Sequence, residues 1–154
     1  MAATILTVGF MGLIQAVTIT SGMMDTARRQ TLAAQILEHE IEQLRFKSWA
    51  YIQGLPDLPP TTIDSINFPN SPFLSAVTAS GAIYSLSSTS SYIDPSTSAD
   101  TGTDTGLREV TFTVTWVVTT SRHDDSGNLV TFTSSRVNSA HFSKYGLNLT
   151  YQRS

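Results

Sequence analysis

The chain of 154 residues has no cysteine, which excludes disulfides, iron–sulfur clusters and thiol chemistry. It is also poor in charge: Asp, Glu, Lys and Arg make up 14% of it, against a usual quarter. Ser and Thr, 42 in all, take their place. The resulting surface is hydroxyl-rich rather than ionic, which suits an exposed or secreted protein better than a cytosolic enzyme. The formal net charge of −3 argues against nucleic-acid binding, because phosphate neutralisation needs a basic face. Other absences are local. Residues 1–24 carry no ionisable side chain, no proline precedes Pro56, and residues 49–106 contain no Lys or Arg. There is no solenoid-type repeat.

The nucleotide-binding patterns GxxxxGK and GxGxxG do not occur. His39, His123 and His141 stand apart, without the Ser and Asp companions of a triad. His39-Glu40-Ile41-Glu42-Gln43 opens like a zinc-protease helix, but Gln43 stands where the second histidine ligand is required. Asp100-Thr101-Gly102 and Asp104-Thr105-Gly106 spell the aspartic-protease triplet twice. That chemistry needs two loops from separate lobes, so the triplets read as turns. Asp94, Asp100 and Asp104 are weak calcium candidates whose spacing matches no EF-hand loop. The sequon at Asn148 reads as chance. No catalytic or cofactor-binding residue is assigned.

What is present falls into four blocks. Residues 1–24 are long enough to span a bilayer as a helix, but Thr4, Thr7, Gln15, Thr18, Thr20, Gly9, Gly12 and Gly22 dilute the run. Small and hydroxylated residues favour close helix–helix approach over lipid contact. Without a basic n-region or a small-x-small site, the run does not read as a signal peptide. Residues 25–50 continue as an amphipathic helix, with Ala27, Ala34, Leu37, Ile41 and Leu44 on one face. Residues 2–50 therefore read as one helix, weakest at Gly22. Residues 51–106 read as a connecting region. Its prolines break 51–80, a short strand is expected at 82–86, and 87–106 reads as a mobile low-complexity loop. Residues 107–154 read as an antiparallel meander. Val110, Phe112, Val114, Trp116 and Val118 alternate with threonines over 108–120. A turn is expected at 123–128, a return strand at 129–137 and a last strand at 147–151. The fold class expected is α+β: a long N-terminal helix packed on a small antiparallel sheet, with Leu37, Ile41, Leu44, Val110, Phe112, Val114 and Trp116 in the core.

Five tracts, in this order, carry a resemblance. They are Ala2-Ala3-Thr4-Ile5-Leu6, Gly9-Phe10-Met11-Gly12-Leu13, Ala33-Ala34-Gln35-Ile36-Leu37, Glu42-Gln43-Leu44-Arg45 and Val110-Thr111-Phe112-Thr113-Val114-Thr115-Trp116. Together they resemble the type IV pilin family, including the pseudopilins of type II secretion. The likeness covers about 50 residues well and the sheet loosely. It implies a minor pilin or minor pseudopilin: a non-enzymatic structural subunit without cofactor, assembling through Gly9, Phe10, Gly12 and Leu13. It also implies other pilin or pseudopilin subunits as partners, residence in a bacterial inner membrane with a periplasmic C-terminal domain or in a filament, and processing by a prepilin peptidase with N-terminal methylation. The family's basic leader, cleavage glycine, mature phenylalanine and nearby glutamate have no counterpart here. Aligned on the first tract, Met1 falls several residues past that glutamate. Arg28 and Arg29 alone would draw the C-terminal side toward the cytoplasm; the leader that the resemblance implies reverses this. The rival reading is a single-pass membrane-anchored binding domain, an adhesin or sensor ectodomain.

Overall fold

The computed structural model describes residues 2–123 and 125–145. Helix α1 (Ala2–Arg45) runs unbroken for 44 residues, about 66 Å at 1.5 Å per residue, and Gly22 does not interrupt it. It stops short of residue 50, however. Phe46 and Lys47 leave the helix, and Ser48 caps a second one, α2 (Trp49–Gln53), by accepting from Tyr51 N at 3.4 Å. Serine serves that position because its hydroxyl satisfies an otherwise unpaired N–H.

The remaining elements are β1 (Leu58–Thr62), α3 (Leu74–Ala79), β2 (Ile83–Tyr92), β3 (Leu107–His123) and β4 (Leu129–Ser143). The strands form one antiparallel meander in the order β1-β2-β3-β4. The sheet thus begins well before residue 107, and the 51–106 region is not merely a connection. Residues 87–92 belong to β2, where Tyr84, Leu86 and Ser88 are buried and Thr89 is exposed. Short serine-rich runs hide such a strand from composition. Beyond it, residues 93–106 form a tied loop. Ile93 N donates to Leu107 O at 3.1 Å, Asp94 N to Ala99 O at 2.9 Å, and Thr101 N to Tyr92 O at 2.9 Å. β4 outruns its expected end at 137 by six residues. The strand expected at 147–151 lies outside the described residues.

The core is one layer between α1 and the sheet. Leu32, Ala33, Ile36, Leu37, Ile41 and Leu44 meet Tyr84, Leu86, Val110, Phe112, Val114 and Trp116. The expected strand face is the one observed. Val110 and Val114 are fully buried, Val118 is partly buried, and Thr111, Thr113 and Thr115 lie on the other side. On the helix the face is turned from the expectation: Ala33 is buried, whereas Ala34 is half-buried and Ala27 exposed. Leu32 and Ile36 are larger than the alanines of the expected stripe, and their burial sets the rotation. Tyr84 stacks on Trp116 with ring centroids 6.0 Å apart, joining β2 to β3 beneath the helix.

Candidate functional site

Two surfaces stand out. The first is the N-terminal part of α1. Phe10, Met11, Leu13, Ile14 and Val17 are 55–71% exposed, and Met23 and Met24 are equally uncovered. Phe10, Leu13, Ile14 and Val17 follow helical spacing and share one face. Sixteen residues separate Val17 from the buried Ala33, about 160° around the axis at 3.6 residues per turn. The apolar stripe therefore points away from the side on which the chain's own sheet lies. Three threonines between them turn their hydroxyls back to the helix. Thr20 donates to Ala16 O at 2.8 Å, Thr26 to Gly22 O at 3.0 Å, and Thr31 to Ala27 O at 2.9 Å. A threonine bonded back to its own helix offers its methyl to a neighbour. Gly9 and Gly12 lie on the same helix. Among the described residues no helix is long and apolar enough to cross a membrane.

Where the helix meets the sheet, a polar collar fixes its direction. Asp25 pairs with Arg29 at 2.6 Å, Arg29 donates to Ser80 O at 3.3 Å, and the Tyr84 hydroxyl donates to Arg29 O at 3.5 Å. Burial pushes the Tyr84 phenol up, offset in part by its bond to Ser80 and by nearby Arg29, while nearby Asp25 adds to the rise. Further along, Glu40 sits at helical spacing among Ala33, Ile36, Leu37 and Leu44. Burial lifts its carboxyl above the ordinary glutamate value, offset in part by neighbouring His39.

The second surface is the outer edge of β4. With β1 it is one of the two ends of the sheet. Beside it, a groove of about 940 Å³ runs between β4 residues 138–143 and the α1 wall of Glu38, Ile41, Glu42 and Arg45. Trp49, Ile52, Ile93, Leu107 and Phe142 give it an apolar lining. The Trp49 indole N–H is buried without an acceptor among the described residues. No sequence motif pointed to this groove. The signal that was available is the contrast between the two edges: Pro59 and Pro60 in β1, no proline in β4.

The calcium candidates are not brought together. Asp94 Oδ1 accepts from Ser96 N, Asp100 Oδ1 from Gly102 N and Asp104 Oδ1 from Gly106 N, each closing its own turn. The Ser96 bonds hold the Asp94 carboxyl below the usual value. Among the described residues no cluster of His, Asp or Glu is arranged to hold a metal. His39 meets the Phe73 ring edge-on, and Glu42 pairs with Arg45 at 2.7 Å, so the zinc-like run makes packing and surface contacts.

Comparison with protein-family models, with curated proteins and with solved structures finds no match to this chain.

Proposed function

We propose that the chain is a pilin-like structural subunit, a minor pilin or minor pseudopilin, that assembles through the N-terminal half of α1. One observation carries this reading. A single unbroken helix is buried on its own sheet at Leu32, Ala33, Ile36, Leu37, Ile41 and Leu44 and uncovered, with an apolar stripe, at Phe10, Leu13, Ile14 and Val17. An apolar surface of that kind is not left in water. In this reading Phe10 and Leu13 pack on the helices of other subunits, Gly9 and Gly12 permit close approach, and the sheet domain faces outward. Before assembly the helix is held at a bacterial inner membrane with the sheet in the periplasm, and a prepilin peptidase processes it. The work is mechanical and needs no cofactor.

A membrane-anchored binding domain is the second reading. The Thr and Gly residues that dilute residues 1–24 support helix contact over the lipid contact that a plain anchor makes.

The cysteine-free chain makes a direct test simple. Phe10→Cys and Leu13→Cys are each produced alongside a pilus or pseudopilus assembly machine, and oxidised. Disulfide-linked ladders with other subunits carrying a matching cysteine are the expected result. Helix cysteines that stay monomeric, while the protein remains in the membrane fraction, would overturn the filament reading and favour the anchor.

A further inference from the structure

The sheet narrows to a two-stranded ribbon at one end. β2 begins at Ile83, which pairs with Val117. Beyond that rung β3 and β4 run on together, with no third strand beside them among the described residues. A two-stranded ribbon alone is marginally stable in water. Its direction is fixed by two contacts. Arg108, at the start of β3, reaches Ile52 O beyond the C-terminal end of α1, whereas Tyr84, on the rung of Trp116, donates to Arg29 O. The ribbon therefore continues past the collar toward the N-terminal half of α1. Val118 and Phe132 pair across it, on the side that carries Val114 and Trp116. Val118 is partly buried, but Phe132 is 57% exposed. α1 is bare on the matching side. Eleven residues, about three turns, separate Gly22 from the buried Ala33, so the two share a face. A side chain at Gly22 would meet nothing within 4 Å. At the rim of this corner Asp25 and Arg29 neutralise each other. Residues 146–154 leave β4 from its opposite end. About 36 Å of strand separates Ser143 from Phe132, and nine extended residues reach at most about 32 Å.

We infer that the corner formed by Gly22, Val118 and Phe132 receives the apolar stripe of a second copy of this chain: its Phe10, Leu13, Ile14 and Val17. The stripe and Phe132 are exposed apolar surfaces, and residues 1–24 bring no ionisable side chain to the contact. Stripe and corner lie on opposite sides of one helix, so a single copy cannot bring them together. A two-fold dimer that pairs stripe with stripe leaves the corner empty. The contact is therefore head-to-tail, each copy giving its stripe to one neighbour and receiving the stripe of another. Glycine at the crossing lets two helices approach closely. With the helices parallel, the middle of the stripe lies about eight residues from Gly22, so each copy steps about 13 Å along the next. The parallel setting, and protein rather than lipid as the cover, rest on the filament reading.

The test uses the full cysteine-free chain in micelles that hold more than one copy. A tagged Gly22→Cys variant is mixed with an untagged Leu13→Cys variant and oxidised. Disulfides joining one tagged to one untagged chain should exceed either like-with-like dimer, and a chain carrying both cysteines should form ladders. Phe132→Ser should lower the mixed yield about fivefold to tenfold, the weight of a partly buried aromatic side chain. Thr133→Ser, on the opposite face of β4, should leave it unchanged. Leu13-to-Leu13 dimers in excess, no cross-link at all, or a mixed yield indifferent to Phe132→Ser would each overturn the inference. The filament reading fails or stands separately. Leu13→Cys that links to other subunits beside an assembly machine, with no link to Gly22→Cys, defeats this inference alone. A Leu13-to-Gly22 link in micelles, with no incorporation beside the machine, defeats the filament reading alone.

Discussion

Arg108 Nη2 donates to Ser90 Oγ at 2.6 Å, diagonally across the β2–β3 ladder. The same guanidinium donates to the carbonyls of Ile52, Gln53 and Leu55, and lies over the Tyr92 ring. This buried cation thus has backbone dipoles at the end of α2 as its partners, with no carboxylate among them. It pins the turn after the long helix to the start of the central strand. Replacing it removes the side-chain donor from Gln53 O and leaves Ile52 O and Leu55 O with only Leu55 N and Ser90 Oγ as donors.

Arg108→Met should therefore destabilise the fold by about 3 kcal/mol, since single hydrogen bonds to a charged group contribute about 1.5–3 kcal/mol. Arg108→Lys should recover less than half of this, because a compact ammonium cannot span the carbonyls that the planar fork reaches. Chemical denaturation of both variants checks it. A lysine variant as stable as the parent would show that charge alone suffices.

Trp116 is 4% exposed and stacked on Tyr84 under the helix. Trp116→Ala should cost about 3–5 kcal/mol, the range for truncating a buried aromatic. Thr115, its neighbour on the outer face, should tolerate alanine within about 0.5 kcal/mol. Equal losses at the two positions, measured by thermal unfolding, would contradict the strand's assigned faces.

The legible part of this fold is the part with strong periodicity. The Val-Phe-Val-Trp alternation from Val110 admits one strand face, which is observed, and Leu37, Ile41 and Leu44 are buried as expected, whereas the alanines expected beside them, Ala27 and Ala34, are not. What escaped lacked apolar contrast. Residues 87–92 form strand although five of the six are Ser or Thr, because the β3 ladder supplies their pairing. The long helix stops at Arg45, and Ser48 opens a second one through one hydroxyl, a cap that no apolar pattern marks. Arg108 looked like a strand-start charge, and only the fold brings Ile52, Gln53 and Leu55 to it. The groove depends on α1 crossing beside β4, a tertiary relation that no local pattern encodes.

Asp100 and Asp104 each accept from a backbone N–H two residues on, and Asp104 Oδ2 also takes Gln53 Nε2 at 2.9 Å. Asparagine keeps an acceptor at the same place. Asp100→Asn and Asp104→Asn should each change stability by no more than about 0.5 kcal/mol. Calcium should not shift the melting temperature of the parent. A calcium-dependent rise that the double variant loses would reinstate a metal site.

Glu40 is raised in the folded chain, chiefly by burial. An acid raised on folding favours the native state when protonated. Its cost is absent below the ordinary glutamate value of 4.5 and grows as pH rises through the folded value. Glu40→Gln should therefore match the parent near pH 4 and be the more stable of the two at pH 7, with a flatter profile between. Melting curves across that range decide it. A parent that gains on the variant as pH rises would mean that the carboxylate has a favourable partner.

The last expectation separates fold from assembly within α1. The sheet buries its apolar face against residues 32–44, and the collar of Asp25, Arg29, Ser80 and Tyr84 begins only at residue 25. Phe10, Leu13, Ile14 and Val17 are exposed and contribute no burial to the core. A chain shortened to begin at Asp25 should therefore fold, remain soluble and sediment as a monomer. The full chain should associate or require detergent, because its exposed apolar stripe seeks cover. Circular dichroism and sedimentation of the two forms give the answer. If the shortened chain unfolds while the full chain is a detergent-free monomer, the first 24 residues serve the core, and the filament reading is lost.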